Sequence, residues 1–228
     1  MKLVAIVPVR AGSQRLSKKN YIKVRGKRIF EHTLEKIIES KVFDRIVINS
    51  SDLSLIETAR KYDVDFYERP SELSTSEATA DQVVYDFMSN QTNENQFLVW
   101  VNTASPLTTL REIIDIGNFI HNEKPSSIVT VRKTRGHVLK NMEPINFKFE
   151  ESLSRTQDME NLIEYNYAIM GWNYSCKNKL SSGQMFDAHT SFVESSFWSS
   201  ILLKKDEDLK VIESVIESPI WTNIIRKK

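Results

Sequence analysis

Short runs of apolar, mostly β-branched residues punctuate the chain at residues 3–9, 45–50, 64–67, 97–101 and 127–131. Each is of strand length rather than helix length, and nearly continuous apolarity predicts strands covered on both faces. Between them the period changes. Phe30, Leu34, Ile37 and Ile38 recur at helical spacing, as do Leu55, Ile56 and Ala59, and then Val83, Val84 and Phe87. A further helix is expected over residues 109–121, and Asp52 and Thr109 stand where N-caps belong. Strands alternating with helices predict an α/β fold: a mostly parallel, Rossmann-like sheet flanked by helices.

The rhythm fails after about residue 134. Residues 135–160 are polar, lack periodicity and contain Gly136 and Pro144, which suits either an insertion or subunit arm or an ordinary surface excursion within a single domain spanning residues 1–228. Residues 165–172 read as a return to the sheet. Leu209, Ile212, Val215 and Ile216 mark a terminal helix over residues 206–218, stopped by Pro219.

Charge changes this picture only locally. With 31 Lys and Arg against 30 Asp and Glu, the chain as a whole has no pull toward nucleic acid or membrane. Cys176 is the lone cysteine, which excludes a disulfide framework and a cysteine-based zinc site. Pro8 and Arg10 interrupt the first apolar run too early for a secretory h-region, so a cytoplasmic location is expected.

The first 28 residues are the exception. They hold Lys2, Arg10, Arg15, Lys18, Lys19, Lys23, Arg25, Lys27 and Arg28 and no acidic residue. A strand that delivers a basic, glycine-containing loop to the carboxyl edge of a sheet suits an anion, above all phosphate. Neither G-x-G-x-x-G nor G-x-x-x-x-G-K-[ST] occurs, so the dinucleotide and Walker motifs are excluded. His32, His121, His137 and His189 are scattered, and Ser13 lacks the G-x-S-x-G context of a hydrolase nucleophile. Trp100 is expected in the core of a central strand, and core is also the better placement for Trp172, Trp198 and Trp221.

The string Ile6-Val7-Pro8-Val9-Arg10-Ala11-Gly12-Ser13-Gln14-Arg15-Leu16, followed by Lys19-Asn20, resembles the opening motif of the acylneuraminate cytidylyltransferases. The similarity continues at Gly26-Lys27, Ser51-Asp52, Arg69-Pro70-Ser71-Glu72-Leu73, Ala104-Ser105-Pro106-Leu107, Arg155-Thr156-Gln157-Asp158 and Asn166-Tyr167-Ala168-Ile169. The resemblance implies a nucleotide-diphospho-sugar transferase-like fold with a small dimerisation arm at residues 135–160. It also implies transfer of CMP from CTP to an acidic, sialic-acid-like sugar, with release of pyrophosphate and with Mg²⁺ as cofactor. By the same resemblance, Arg10 and Lys19 hold phosphate oxygens and are the catalytic candidates. The backbone of Ala11, Gly12 and Ser13 cradles the phosphates, while Asn20, Arg69, Ala78 and Thr79 meet the nucleotide. Asn102, Lys140, Arg155 and Gln157 are the matching candidates for the sugar, and a homodimer is the implied assembly.

The chain also departs from the family pattern. Gln14 replaces a lysine, Asn102-Thr103-Ala104-Ser105-Pro106 replaces Gln-Pro-Thr-Ser-Pro, and Ala80 replaces a serine. The family's metal-binding Asp-x-Asp falls on Leu202 and Lys204, neither of which offers an oxygen ligand. Asp52 and Asp206 are the substitute metal candidates, although Asp206-Glu207-Asp208 also suits a helix N-terminus. The competing reading is a non-catalytic nucleotide- or sugar-binding paralogue, and a shifted alignment is the third.

Overall fold

The computed structural model describes residues 1–10, 12, 18–219, 221 and 224. Its centre is a seven-stranded sheet in the order β11-β7-β10-β6-β1-β4-β5. Here β1 is Lys2–Pro8, β4 Arg45–Ser50, β5 Asp65–Glu68, β6 Gln96–Val101, β7 Ser127–Thr134, β10 Leu162–Asn173 and β11 Thr190–Glu194. β1 pairs in parallel with both β4 and β6, and β4 with β5 and β7 with β11 are parallel too. Only β10 runs the other way, antiparallel to both β6 and β7. Two small hairpins stand apart: β2 (Lys23–Val24) with β3 (Lys27–Arg28), and β8 (Leu139–Lys140) with β9 (Glu143–Pro144).

Side chains alternate across β1 and so feed two cores. Leu3, Ala5, Val7 and Val9 pack with Phe30, Leu34 and Ile37 of α1 (Ile29–Ser40), Ala59 of α2 (Ile56–Tyr62), and Ile113, Ile116 and Ile120 of α4 (Leu110–Glu123). On the other face, Val4 and Ile6 pack with Val84, Phe87 and Met88 of α3 (Ala80–Gln91), Trp172, and Leu180 of α5 (Lys177–Ser181). Each fully buried side chain of this size contributes roughly 1.5–3 kcal/mol. A third cluster joins the β2–β3 hairpin to α6 (Asp206–Glu217) through Val24, Ile212, Ile216 and Trp221.

The predicted strands and helices recur with ends moved by a residue or a few. The N-caps also hold: Asp52 accepts from Ser54 N at 3.0 Å, and Thr109 closes a capping box with Glu112. The alternation missed β11, the two hairpins and α5, which are short and carry few buried positions. Trp100 corrects the expectation of a core tryptophan. It is only half-buried and turns one side to a cleft, because it lies at the carboxyl end of β6, where the helical cover stops. Trp172, by contrast, is fully buried. β10 is interrupted by a bulge between Tyr165 and Met170, where Tyr167 adopts a left-handed φ of 54°.

Candidate functional site

From β1 the chain proceeds to β4 and β5 on one side, then returns to place β6 on the other. That reversal opens a crevice beyond the carboxyl ends of β1 and β6, which is where α/β sheets bind ligands. A cleft of about 210 Å³ lies there, lined by Pro8, Arg10, Lys19, Asn20, Arg69, Leu73, Ala78, Thr79, Ala80, Val83, Trp100, Asn102 and Thr103. The fold thus brings together Arg10, Lys19, Asn20, Arg69, Ala78, Thr79 and Asn102. Ala11 and Ser13 lie outside the described residues, and Gly12 is exposed, its carbonyl accepting from Arg10 Nε at 2.8 Å.

Each cleft residue is held for a local reason. Arg10 follows β1, and its Nη1 donates to Thr75 O at 2.8 Å, tying the basic loop to the segment that precedes Ala78. Lys18 takes a left-handed φ of 49° and so turns the chain into a single 3-10 turn, Lys19–Tyr21. That turn returns Lys19 and Asn20 to the cleft. Asn20 is buried, its Nδ2 donating to Arg10 O at 3.2 Å while its Oδ1 lies 3.1 Å from the Thr103 hydroxyl. The amide therefore ties the loops after β1 and β6 together.

Arg69 is the most buried cation of the cleft, 4% exposed. Its Nε donates to Asn49 Oδ1 and its Nη2 to Asn49 O at 2.7 Å, so the end of β4 orients the guanidinium. Burial, and then the nearby Arg10, draw its pKa down to about 10. Two like charges this close repel, and a negative group between them would relieve that repulsion. Asn102 is oriented too: its Nδ2 donates to Tyr167 O at 3.1 Å and its Oδ1 accepts from Ala104 N at 3.0 Å.

The remaining candidates are not brought here. Lys140 lies in β8, Arg155 pairs with Asp158 at 2.7 Å, and the Gln157 carbonyl accepts from Arg135 at 2.9 Å; none lines the cleft. The Asp52 carboxylate is engaged by the Tyr21 hydroxyl and by Ser54 N. Burial pushes its pKa up, but these donors outweigh burial and hold it below the ordinary carboxylate range. Asp206 opens α6, where Asp208 accepts from Lys204 N at 2.9 Å and Lys205 N at 3.0 Å, so the acidic cluster caps a helix. Among the described residues, no Asp or Glu lines the cleft, and no group of three metal-ligating side chains occurs. A hard cation needs several oxygen ligands, so the described residues do not fit a protein-held Mg²⁺.

Reasoning from sequence missed Trp100, Leu73 and Val83 as walls of the cleft, and Asn49 as the partner of Arg69. A signal for Trp100 existed in its position one residue from the end of a central strand.

Residues 4–171 match the family model described as cytidylyltransferase. An N-acylneuraminate cytidylyltransferase of Streptococcus agalactiae serotype V is 28% identical over 183 residues, covering 74% of this chain and 43% of that protein. A pseudaminic acid cytidylyltransferase of Campylobacter jejuni is 34% identical over 97 residues, 42% of each chain. The chain spans less than half of the length of the first N-acylneuraminate relatives it matches, 32%, 43% and 33%. The fold is also that of a CMP:2-keto-3-deoxy-manno-octonic acid synthetase complexed with CTP, with a TM-score of 0.69 at 10% identity over 95% of this chain and 98% of that one. No helix among the described residues is long and apolar enough to cross a membrane.

Proposed function

Because the chain belongs to the cytidylyltransferase family, we propose that it binds CTP in this cleft and transfers CMP to a hydroxyl of an acidic sugar of the sialic-acid class. The sugar oxygen forms a bond to the α-phosphorus, the bond from that phosphorus to the bridging oxygen breaks, and pyrophosphate departs with the electron pair. The hydroxyl proton leaves to solvent. Such a transfer is mainly a matter of positioning and charge neutralisation. The observation that carries the reading is the convergence of Arg10, Lys19, Asn20 and Arg69 at the crevice between β1 and β6. Lys19 and Arg10 are the candidates for the triphosphate. Arg69, Asn20 and the Ala78–Thr79 backbone are assigned to the nucleoside end, and Trp100 is added as an apolar wall.

We assign Mg²⁺ to the triphosphate as its own counter-ion rather than to a resident site. That no carboxylate among the described residues lines the cleft favours one competing reading, a paralogue that binds nucleotide without turnover. The sugar candidates Lys140, Arg155 and Gln157 belong to an arm at residues 135–160, which we assign to contact with a second copy of the chain. Leu139, Met142, Ile145, Phe149 and Leu153, all exposed, support that assignment.

Calorimetry with CTP tests the site. Lys19→Ala is expected to weaken binding about tenfold or more, as loss of a charge-assisted contact does. Equal affinity in both proteins would remove the basis of the proposal. Pyrophosphate release with CTP, Mg²⁺ and a panel of acidic sugars separates the two readings, since binding without release selects the paralogue.

A further inference from the structure

Lys36 in α1 is a buried cation with no place in the cleft. The residue is 4% exposed, and its Nζ donates to Pro106 O at 2.6 Å. The Trp221 ring lies 5.6 Å from the same ammonium. Among the described residues it forms no salt bridge; Glu112 of α4 and its helix neighbour Glu35 act on it only through space. An unpaired buried ammonium costs stability, and a methionine would fill the space without that cost.

What the ammonium holds is the turn that leaves β6. Asn102 and Thr103 of this turn line the cleft, and the next three residues are tied to two distant segments, the stretch before α6 and α1. Ala104 O accepts from Leu203 N at 2.7 Å, Ser105 Oγ donates to Ser199 O at 2.6 Å, and Pro106 O accepts from Lys36. Ser199 is in turn held by Glu112, whose carboxylate also accepts from Thr109 and from Ser196 N. Asn102 and Thr103 are also tied to β10 and to the end of β1, by Asn102 Nδ2 to Tyr167 O and the Thr103 hydroxyl to Pro8 O. Lys36 is therefore the tie from α1 to the part of the turn that the segment before α6 also anchors.

We propose that Lys36 is a positioning residue: its ammonium clamps the Pro106 carbonyl and so sets the 102–109 turn that presents Asn102 and Thr103 to the nucleotide cleft. The role of the turn in substrate recognition rests on the proposed function; the clamp itself does not. Burial draws the Lys36 pKa down to about 7, and Glu112 and Glu35 only partly restore it. The other titratable group nearby is His32, on the same helix, which burial holds below its ordinary pKa. A charge-assisted hydrogen bond is about twice as strong as a neutral one, so the clamp loosens as the ammonium loses its proton.

The test is amide hydrogen exchange on the full chain, read at Ser105, Thr108 and Leu203, beside urea unfolding. In Lys36→Met these amides should exchange about tenfold faster while global stability holds or rises, because a local tie is lost and a buried charge removed. Lys36→Gln, which keeps a neutral donor, should fall between. Unchanged local protection in both variants would overturn the clamp. CTP affinity in Lys36→Met should fall about three- to tenfold if the turn positions Asn102 and Thr103. Faster exchange with unchanged CTP affinity would overturn the positioning role while leaving CTP binding intact. Absence of CTP binding in the wild type would instead count against the proposed function.

Discussion

Lys36 has a thermodynamic signature as well as a local one. Its folded pKa of about 7 lies below the unfolded value of about 10.4. Between those values the unfolded chain binds more protons, so stability rises with pH across this window. The full cost of the buried charge is felt below pH 7, and it is gone above the unfolded value. The span is on the order of 4 kcal/mol at most, since local relaxation reduces it. Urea unfolding from pH 6 to pH 10 should show this rise in the wild type and a flatter profile in Lys36→Met. Parallel profiles would mean that the ammonium is solvated. Arg69 is a different kind of buried cation, because both of its ties go to Asn49 and its free edge faces the cleft. Arg69→Met leaves Asn49 Oδ1 without its donor, beside an Asn49 Nδ2 that already has no partner. It should cost about 1–3 kcal/mol of stability and weaken CTP binding at least tenfold. Undiminished CTP affinity, read by calorimetry, would take Arg69 out of the site.

At the level of elements, the site depends on how β10 meets β6. Gly171 of β10 is opposite Val99, and a Cβ there would come within 2.6 Å of the Phe97 ring and 2.9 Å of Leu98 O. Neither the ring, packed in the core, nor a backbone carbonyl in a central strand can move aside cheaply. Gly171→Ala should therefore destabilise by about 1–3 kcal/mol, read as a lower urea midpoint with an unchanged slope. A variant as stable as the wild type would show that β10 has room to shift. The strand also shows where sequence reading stops. Residues 165–172 were legible as a strand, because Ala168, Ile169, Met170 and Trp172 form a buried apolar stretch. Its antiparallel direction was not, since periodicity gives spacing and no direction. Nor was the bulge, whose Tyr167 is a bulky residue at a positive φ that no propensity favours. β1, β4 and β6 were legible for the opposite reason: they are interior strands, and each carries a run of consecutive apolar residues. In the cleft, the loop residues Arg10, Lys19 and Asn20 could be read from motif and charge. Asn49 could not, because a strand residue at the sheet's rim has the same sequence pattern as one in its core, and for Trp100 the only signal was its place one residue from the strand's end.

Viewed as a whole molecule, the chain separates its charge from its apolar surface. Arg10, Lys19 and Arg69 line the cleft, whereas apolar exposure concentrates at residues 139–163. Met142 is 78% exposed and Phe149 65%, with Ile145, Leu153 and Ile163 each above half. Met142 sits in the two-residue turn between β8 and β9, and both it and Asn141 have positive φ. That geometry matches the right-handed twist of a hairpin and projects the turn as a rigid unit. An apolar tip held out in this way is costly to solvate and suits burial against a second copy, where a stable interface removes about 800 Å² per partner. Sedimentation velocity should therefore find a dimer at micromolar concentration, and Met142→Lys combined with Phe149→Lys should shift it to monomer. Because neither residue lines the cleft, CTP affinity should survive the dissociation. If CTP affinity falls together with the dimer, then the partner copy contributes to the nucleotide site. If the wild type sediments as a monomer, the arm does not serve assembly.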